Sequence, residues 1–510
     1  MGWNSWDSFG TGVTEAEVKA NADYMARHMA KSGWQYIVVD IQWSEPNPKT
    51  HGYRPGAELN MDEYGRLIPA VNRFPSAANG QGFKPLADYV HSKGLKFGMH
   101  IMRGIPRRAV DADAPVFGAK VKASAIANKK SICGWNSDMY GVDVTREGGQ
   151  AYYDSLAKLY ATWGLDFIKA DDMFGFGANG DHNSEIGALS KALRGSGRPI
   201  VLSLSPGTRD AAKVDFIGKN AEMWRISGDF WDRWVDLKRQ FPNFTKWNPY
   251  VKPGNWPDGD MLPLGHIGIR AERGDPRMSL LTHDEQLTLM TLWSIARSPL
   301  MFGGNLPDND EFTLNLITNE EVLAVNQKAS KSKELFTKEN QVAWFAETAG
   351  SPAKYLAVFN IGDTADENIR VNRSEEHTSE LQSPMYHLMF GGNLPDNDEF
   401  TLNLITNEEV LAVNQKASKS KELCTKETQV AWFAETAAEM AGSPAKYLAV
   451  FNIGDTADEN IRVNWSDLGL PANCAVRDLW AKKDLGTVRE GQTFKVAPHA
   501  TAFYKLTPGK

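Results

Sequence analysis

A chain of 510 residues exceeds one ordinary domain and predicts a large body followed by a smaller one. With 42% apolar, 23% charged and 10% aromatic residues it can bury a full core, which excludes a disordered or fibrous protein. A net charge of −7 and the absence of Lys/Arg runs leave no basic face for phosphate backbones, which excludes nucleic acid as a partner. Gly2-Trp3-Asn4-Ser5-Trp6 then reads as an opening strand. Thr14 and Glu17 stand at capping-box spacing, and Val18, Ala22, Met25 and Met29 recur at helical intervals until Gly33, so a helix follows. Residues 36–43 (YIVVDIQW) are apolar and β-branched, the pattern of a parallel strand buried on both faces, and they carry Asp40 near their end.

Further strands are predicted at 95–101, 167–173, 199–205, 223–229, 260–265 and 298–302. Helical stretches separate most of them, one starting at Thr282 with a capping box to Glu285. With the opening strand this gives a βα alternation over residues 1–327, which predicts an α/β fold of the (β/α)8 TIM-barrel type. After a helix at 311–327 the texture changes to short alternating strands, QVAWFAET, KYLAVFNIG, ENIRVN and TFKVAPHATAFYKL, which predict a C-terminal antiparallel β-sandwich.

Residues 301–372 recur as 389–464, differing at Phe336 against Cys424, at Asn340 against Thr428, and by the insertion Ala438 to Ala441. Solenoid repeats diverge more, and each is a single stacking unit. The joining residues 373–383, RSEEHTSELQS, resemble the translation of a DNA-sequencing adapter. The reading is therefore a partial first copy of the sandwich at 328–372, an adapter-like junction at 373–388, a duplicated barrel-end helix segment at 389–418 and a complete sandwich at 419–510.

Three cysteines, Cys133, Cys424 and Cys474, lie far apart, which speaks against a disulfide framework or a zinc site. No run approaches the ~20 apolar residues of a membrane span, so no membrane partner is expected. As written the chain reads as cytoplasmic; a segment preceding Met1 would open the secreted alternative. Nothing in the composition decides the oligomeric state.

Polar residues at the C-terminal ends of barrel strands are where a TIM barrel carries its chemistry. Asp40, Lys169, Asp171, Asp172, Arg225, Asp229 and Asp260 stand there, with Trp3 on the first strand. Any one such Asp alone reads as a helix cap or turn former. Several acids with one Lys and one Arg, and no His-x-His pair, point instead to carboxylate chemistry without a metal or cofactor. Glycosidic cleavage needs one carboxylate to attack the anomeric carbon and one carboxylic acid to protonate the leaving oxygen. Asp171 and Asp229, from the fourth and sixth strands, fit that division. Lys169, two residues before Asp171 and on the same face, would keep it ionised; a Schiff-base lysine is the rival reading. The sixteen Trp and fourteen Tyr fit the stacking of sugar rings and the core of a large barrel equally well.

MGWNSWDSF, YIVVDIQW, FIKADDM, WRISGD, GDMLPLG and SPLMFGGNL together resemble the strands of the α-galactosidases of glycoside hydrolase family 27, over the chain outside the duplicated segment. The resemblance implies a barrel followed by a β-sandwich, Asp171 as nucleophile and Asp229 as acid/base. It also implies that Trp3 lines the sugar pocket, that Asp40 accepts hydrogen bonds from ring hydroxyls, and that Lys169 and Arg225 hold hydroxyls near the reacting carbon. Four positions depart from the family pattern. Ile41 replaces a second Asp that addresses the C6 hydroxyl, His100 replaces a pocket Tyr, and Met173 replaces a Cys, so the disulfide often found beside the site is absent. Ser205 stands where members read the substituent at C2 and is small enough to admit an N-acetyl group. The expected protein is a retaining exo-glycosidase acting on a glycoside or oligosaccharide with a terminal α-D-galactosyl or β-L-arabinopyranosyl group, tilted by Ile41 toward the latter. An α-N-acetylgalactosaminidase-like activity and an inactive sugar-binding homologue are the alternatives.

Overall fold

The computed structural model describes residues 1–54, 56–174, 181–207, 210–338, 340–348, 354–362, 386–391, 417–426, 429–436, 446–452, 459–468, 470–478, 483–496 and 501–509. Eight parallel strands form its first sheet: β1 (Gly2–Asn4), β2 (Tyr36–Val39), β3 (Lys96–Met102), β4 (Phe167–Asp171), β5 (Val201–Leu204), β6 (Met223–Arg225), β7 (Trp256–Asp258) and β8 (Met301–Phe302). Their order is β7-β6-β5-β4-β3-β2-β1-β8. The ends meet where Leu262 bridges Phe302 in parallel, with Leu262 N donating to Met301 O at 2.7 Å and Gly303 N to Leu262 O at 2.9 Å. The sheet is thus a closed (β/α)8 barrel.

Helices follow the strands: α1 (Glu15–His28), α2 (Lys84–Ser92), α3 (Gly149–Trp163), α4 (Asn183–Gly195), α5 (Val214–Asn220), α6 (Trp234–Trp247), α7 (His283–Ile295), α8 (Glu311–Thr318) and α9 (Glu320–Lys328). Both expected capping boxes are formed, Thr14 with Glu17 and Thr282 with Glu285. The single helix expected at 311–327 is two, because Asn319 leaves helical geometry and caps α9 by accepting from the N–H groups of Glu321 and Val322. The seventh strand, expected at 260–265, begins at Trp256 and stops at Asp258. Asp260, at φ 95°, breaks it before Leu262 resumes pairing.

Strand alternation divides the side chains. Ile37 and Val39, Met99 and Ile101, Ile168 and Ala170, and Trp224 join the core under the helices. Val38, Met102, Phe167, Met223 and Met301, of the opposite parity, form a separate apolar cluster inside the barrel. Continuing that inward parity one step toward the C-terminal ends reaches Asp40, Lys169, Asp171 and Arg225, so the β pleat itself gathers the charged groups in one mouth.

The first copy of the repeat is built into this body. Its segment supplies β8, α8, α9 and the sheet strands β9 (Ala329–Lys338), β10 (Gln341–Thr348) and β11 (Lys354–Asn360), of which β9 and β10 pair antiparallel, with β12 (Tyr386–Gly391) beside β11. Trp344, Ala357 and Phe359 share the core of the barrel helices, and Phe359 meets Phe241 of α6 edge-on with centroids 5.0 Å apart. The boundary expected at 327/328 therefore separates kinds of secondary structure, not cores.

The second compact unit holds β13 (Ala417–Lys426), β14 (Gln429–Thr436), β15 (Lys446–Asn452), β16 (Glu459–Asn464), β17 (Asn473–Asp478), β18 (Lys483–Arg489), β19 (Gly491–Val496) and β20 (Thr501–Pro508). A six-stranded antiparallel sheet, β13-β14-β15-β20-β17-β18, and the pair β16-β19 enclose Leu448, Val463, Trp465, Val476, Phe494 and Leu506. This is the C-terminal β-sandwich. Apart from Tyr386–Gly391 and Ala417 onward, the junction at 373–388 and the repeated helix segment at 389–418 lie outside the described residues. No described helix is long and apolar enough to cross a membrane.

Candidate active site

Asp40 follows β2 and is buried. Its Oδ2 accepts from Lys169 Nζ at 2.9 Å and Asn4 Nδ2 at 2.8 Å, while Oδ1 accepts from the Ile41 N–H at 2.8 Å. Burial alone would raise this carboxyl, but Lys169, His100 and the Ile41 N–H hold it far below its ordinary range. Burial likewise opposes the charge of Lys169, and Asp40 followed by Asp171 outweigh it, so the ammonium is held above its ordinary value. A lysine so held is not the neutral amine that Schiff-base chemistry needs.

Asp171 ends β4. Its Oδ1 accepts from the Asp172 N–H at 2.8 Å and its Oδ2 faces His100 Nε2 at 3.2 Å. Burial pushes the carboxyl up; the His100 hydrogen bond and charge, Lys169 and the Asp172 N–H bring it below the usual range. The group is thus ionised and partly desolvated, the condition of a carboxylate nucleophile. His100, expected at the pocket, is on inward parity on β3 but bonds Asp171 directly.

Arg225 closes β6 with its guanidinium 2.7 Å from Asp260 and 3.3 Å from Asp229. The expected strand through residue 229 stops at Arg225, so Asp229 rides the loop beyond it, with 54% of its side chain exposed against 13% for Asp171. Asp260 is buried, and burial with Asp229 and Asp258 nearby pushes it up to about 7 despite the Arg225 guanidinium, which itself stays charged. Asp40, Asp171 and Asp260 share one device: each carboxylate accepts at 2.8 Å from the backbone N–H of the residue after it.

Trp3 does not face this mouth. Its parity points it outward, it is fully buried in the core beneath the helices, and its indole N–H donates to Gly304 O at 2.8 Å. Trp6 lies instead in the cluster inside the barrel, stacked on Tyr53 with centroids 5.6 Å apart, and Tyr53 meets Trp135 at 5.4 Å. Burial, and then the charges of Asp171 and Asp40, raise the Tyr53 phenol. Neither Trp6 nor Tyr53 was signalled by a strand end; the parity of GWNSW, with Gly2 and Asn4 inward, is the signal that separates Trp3 from the site. Asp7 is a third such residue, buried, with no partner for its Oδ2 among the described residues and its carboxyl raised by burial and by Asp260. Ile41 is buried in the same apolar cluster as Trp6, Met102, Cys133 and Met139. Ser205 is buried at the end of β5, its N–H on Ala170 O at 2.8 Å. No group of three or more His, Cys, Asp or Glu among the described residues is arranged to hold a metal ion.

Residues 106–328 match the family model described as alpha galactosidase A, and residues 428–506 the alpha galactosidase C-terminal beta sandwich domain. Alpha-galactosidase 2 of Arabidopsis thaliana is 30% identical over 329 residues, 64% of this chain and 66% of that protein, so the chain spans just under two thirds of its length. The alpha-galactosidase of Coffea arabica is 31% identical over 329 residues, 64% of this chain and 69% of its own. Among solved structures, a GH27 β-L-arabinopyranosidase from Geobacillus stearothermophilus in complex with arabinose is 43% identical, with a TM-score of 0.68, covering 100% of this chain and 97% of that one.

Proposed function

This chain belongs to glycoside hydrolase family 27, and from that premise we propose that it is a retaining exo-glycosidase acting on terminal β-L-arabinopyranosides. The observation that carries the glycosidase reading is the contrast between two carboxylates of one mouth: Asp171, 13% exposed and held ionised, and Asp229, on a loop with its side chain open. Asp171 attacks the anomeric carbon while Asp229 gives its proton to the leaving oxygen, whose bond to that carbon breaks. Asp229 then takes a proton from water, which attacks the same carbon, releases Asp171 and restores the starting anomeric configuration. Asp40 and Lys169 bind ring hydroxyls, and Arg225 orients Asp229.

Ile41 supports the choice of sugar. A C6 hydroxyl facing its apolar side chain would lose water and gain no partner, at a cost of about 1–3 kcal/mol. β-L-Arabinopyranose has the ring configuration of α-D-galactopyranose without the C6 arm and avoids that cost. The Geobacillus relative is an arabinopyranosidase by name, and the plant relatives support α-D-galactosides as the second reading. Following product anomers by NMR tests the mechanism, with both nitrophenyl glycosides assayed in the presence of a chelator. Initial release of the inverted sugar, or no turnover of either, would refute the reading.

A further inference from the structure

The residue after the nucleophile adopts a conformation that L side chains rarely take. Asp172 stands at φ 60°, in the left-handed region that a non-glycine residue enters only when its surroundings impose it. Its N–H is the donor that holds Asp171 Oδ1. Whatever fixes this backbone also aims the attacking carboxylate.

Arg103, just past β3, holds it from two sides. Its backbone N–H donates to Asp171 O at 3.0 Å, extending the β3–β4 ladder by one rung. Its guanidinium returns over the next residue, with Nε donating to Asp172 O at 3.0 Å and Nη2 to Asp172 Oδ2 at 2.6 Å. Nη1 is anchored on Glu185 Oε1 at 2.6 Å, and the other oxygen of Glu185 accepts from Val142 N at 2.9 Å and Tyr153 Oη at 2.6 Å. Arg103 is 2% exposed, and burial disfavours its charge, yet Glu185 and Asp172 hold it above its ordinary value. Gly141 leaves room for the guanidinium, since a Cβ there would come within 2.7 Å of Nη1. A forked donor bound at once to a carbonyl and to two carboxylates fixes direction as well as distance, which a lysine ammonium does not.

We propose that Arg103 is a positioning residue for the nucleophile, acting through the backbone of Asp172 to orient the Asp171 carboxylate. Among the described residues the network bonds Asp171 but none of Asp40, Lys169, Arg225 or Asp229, so its effect falls on attack and not on sugar binding. The proposal rests on Asp171 as nucleophile.

Arg103→Lys and Asp172→Asn are compared with wild type using a fluorosugar glycosyl fluoride that stalls at the covalent intermediate. Both variants are expected to label on the order of tenfold to a hundredfold more slowly. Final stoichiometry at Asp171 and the inhibition constant of free arabinose should stay unchanged, and the rate ratio between good and poor leaving groups should hold. Leu292→Ala, in the buried face of α7, supplies a destabilised control whose labelling rate per folded molecule stays at wild type. Labelling of both variants within about twofold of wild type, or a slowing matched by Leu292→Ala, would overturn the proposal. Wild-type labelling at a residue other than Asp171 would overturn the nucleophile assignment and this inference together, an outcome mass spectrometry of the labelled peptide distinguishes.

Discussion

The ammonium of Lys169 lies 2.9 Å from Asp40 on the far side of β3, while Asp171, two residues along its own strand, faces His100. Lys169 therefore acts on Asp171 through space and on Asp40 by contact. Asp40 is buried and the Lys169 side chain is 15% exposed, so removing the lysine leaves a buried carboxylate short of its counter-charge, at a cost approaching about 3–5 kcal/mol. Lys169→Met should lower stability by that order. In Lys169→Met/Asp40→Asn the loss should be smaller than the sum of the single losses. Denaturant melts of the four proteins in the double-mutant cycle check this, and strict additivity would show the contact carries no coupling.

Ile41→Asp should shift the ratio of kcat/KM from arabinopyranosides toward galactosides by on the order of tenfold, about 1.4 kcal/mol. The new carboxylate enters an apolar cluster with Met102, Cys133 and Met139, so the variant should also melt earlier. Because the ratio is taken on one preparation, lost folding does not affect it. A wild type that strongly prefers galactoside, with no shift in the variant, sinks the arabinoside reading.

The pH dependence of stability has a predicted sign. Burial, with Asp229 and Asp258, pushes folded Asp260 up to about 7, whereas an unfolded Asp titrates near 3.9, about three units lower. Between those values the folded state holds a proton the unfolded state has lost. The contribution of this group is therefore fully present below pH ~4 and is lost as the pH rises through about 7. Asp40 and Asp171, depressed in the fold, act the other way and lose their contribution only on acidification below the usual carboxylate range. Asp260→Asn should flatten the fall in melting temperature from pH 4 to 7; superimposable slopes for the two proteins would disprove the assignment.

Deleting residues 301–388 joins Leu300 to Met389 and puts the second copy where the first now stands. The two copies carry nearly the same residues, so the second can supply β8, α8, α9 and the strands whose Trp344 and Phe359 share the barrel core. It alone continues into Trp465 and the strands that close the sandwich. The shortened protein should be at least as soluble and active as the full chain and should unfold in one transition by calorimetry. Failure to fold would make the first copy an essential element.

Much of the barrel is legible in the sequence because its strands are apolar on both faces and its helices announce themselves, as Thr14 with Glu17 and Thr282 with Glu285 do. The seventh strand is less so: Pro257, Gly259 and Pro263 give it the composition of a turn, and its pairing is completed only through Leu262 and Phe302. Trp3 lies outside the pocket because the strand parity that brings Asn4 inward to Asp40 turns Trp3 outward, alongside Ile37. The contact of His100 with Asp171 follows from the register of the neighbouring strands β3 and β4, where His100 pairs with Lys169 and Met102 with Asp171, and the stacking of Tyr53 on Trp6 joins a loop to the short helix after β1; no local pattern encodes either.

Asp40, Asp171 and Asp260, bonded to the N–H of the following residue, have consequences for substitution and for binding. A Glu would carry its carboxylate one methylene past that N–H and forfeit the bond, so the three positions are selective for side-chain length as well as for charge. The acceptor directions are also set before any sugar arrives. A ligand entering such a site exchanges water for oxygens already oriented, with little entropy left to lose, and this preorganisation falls on the protein's side of the encounter rather than the substrate's.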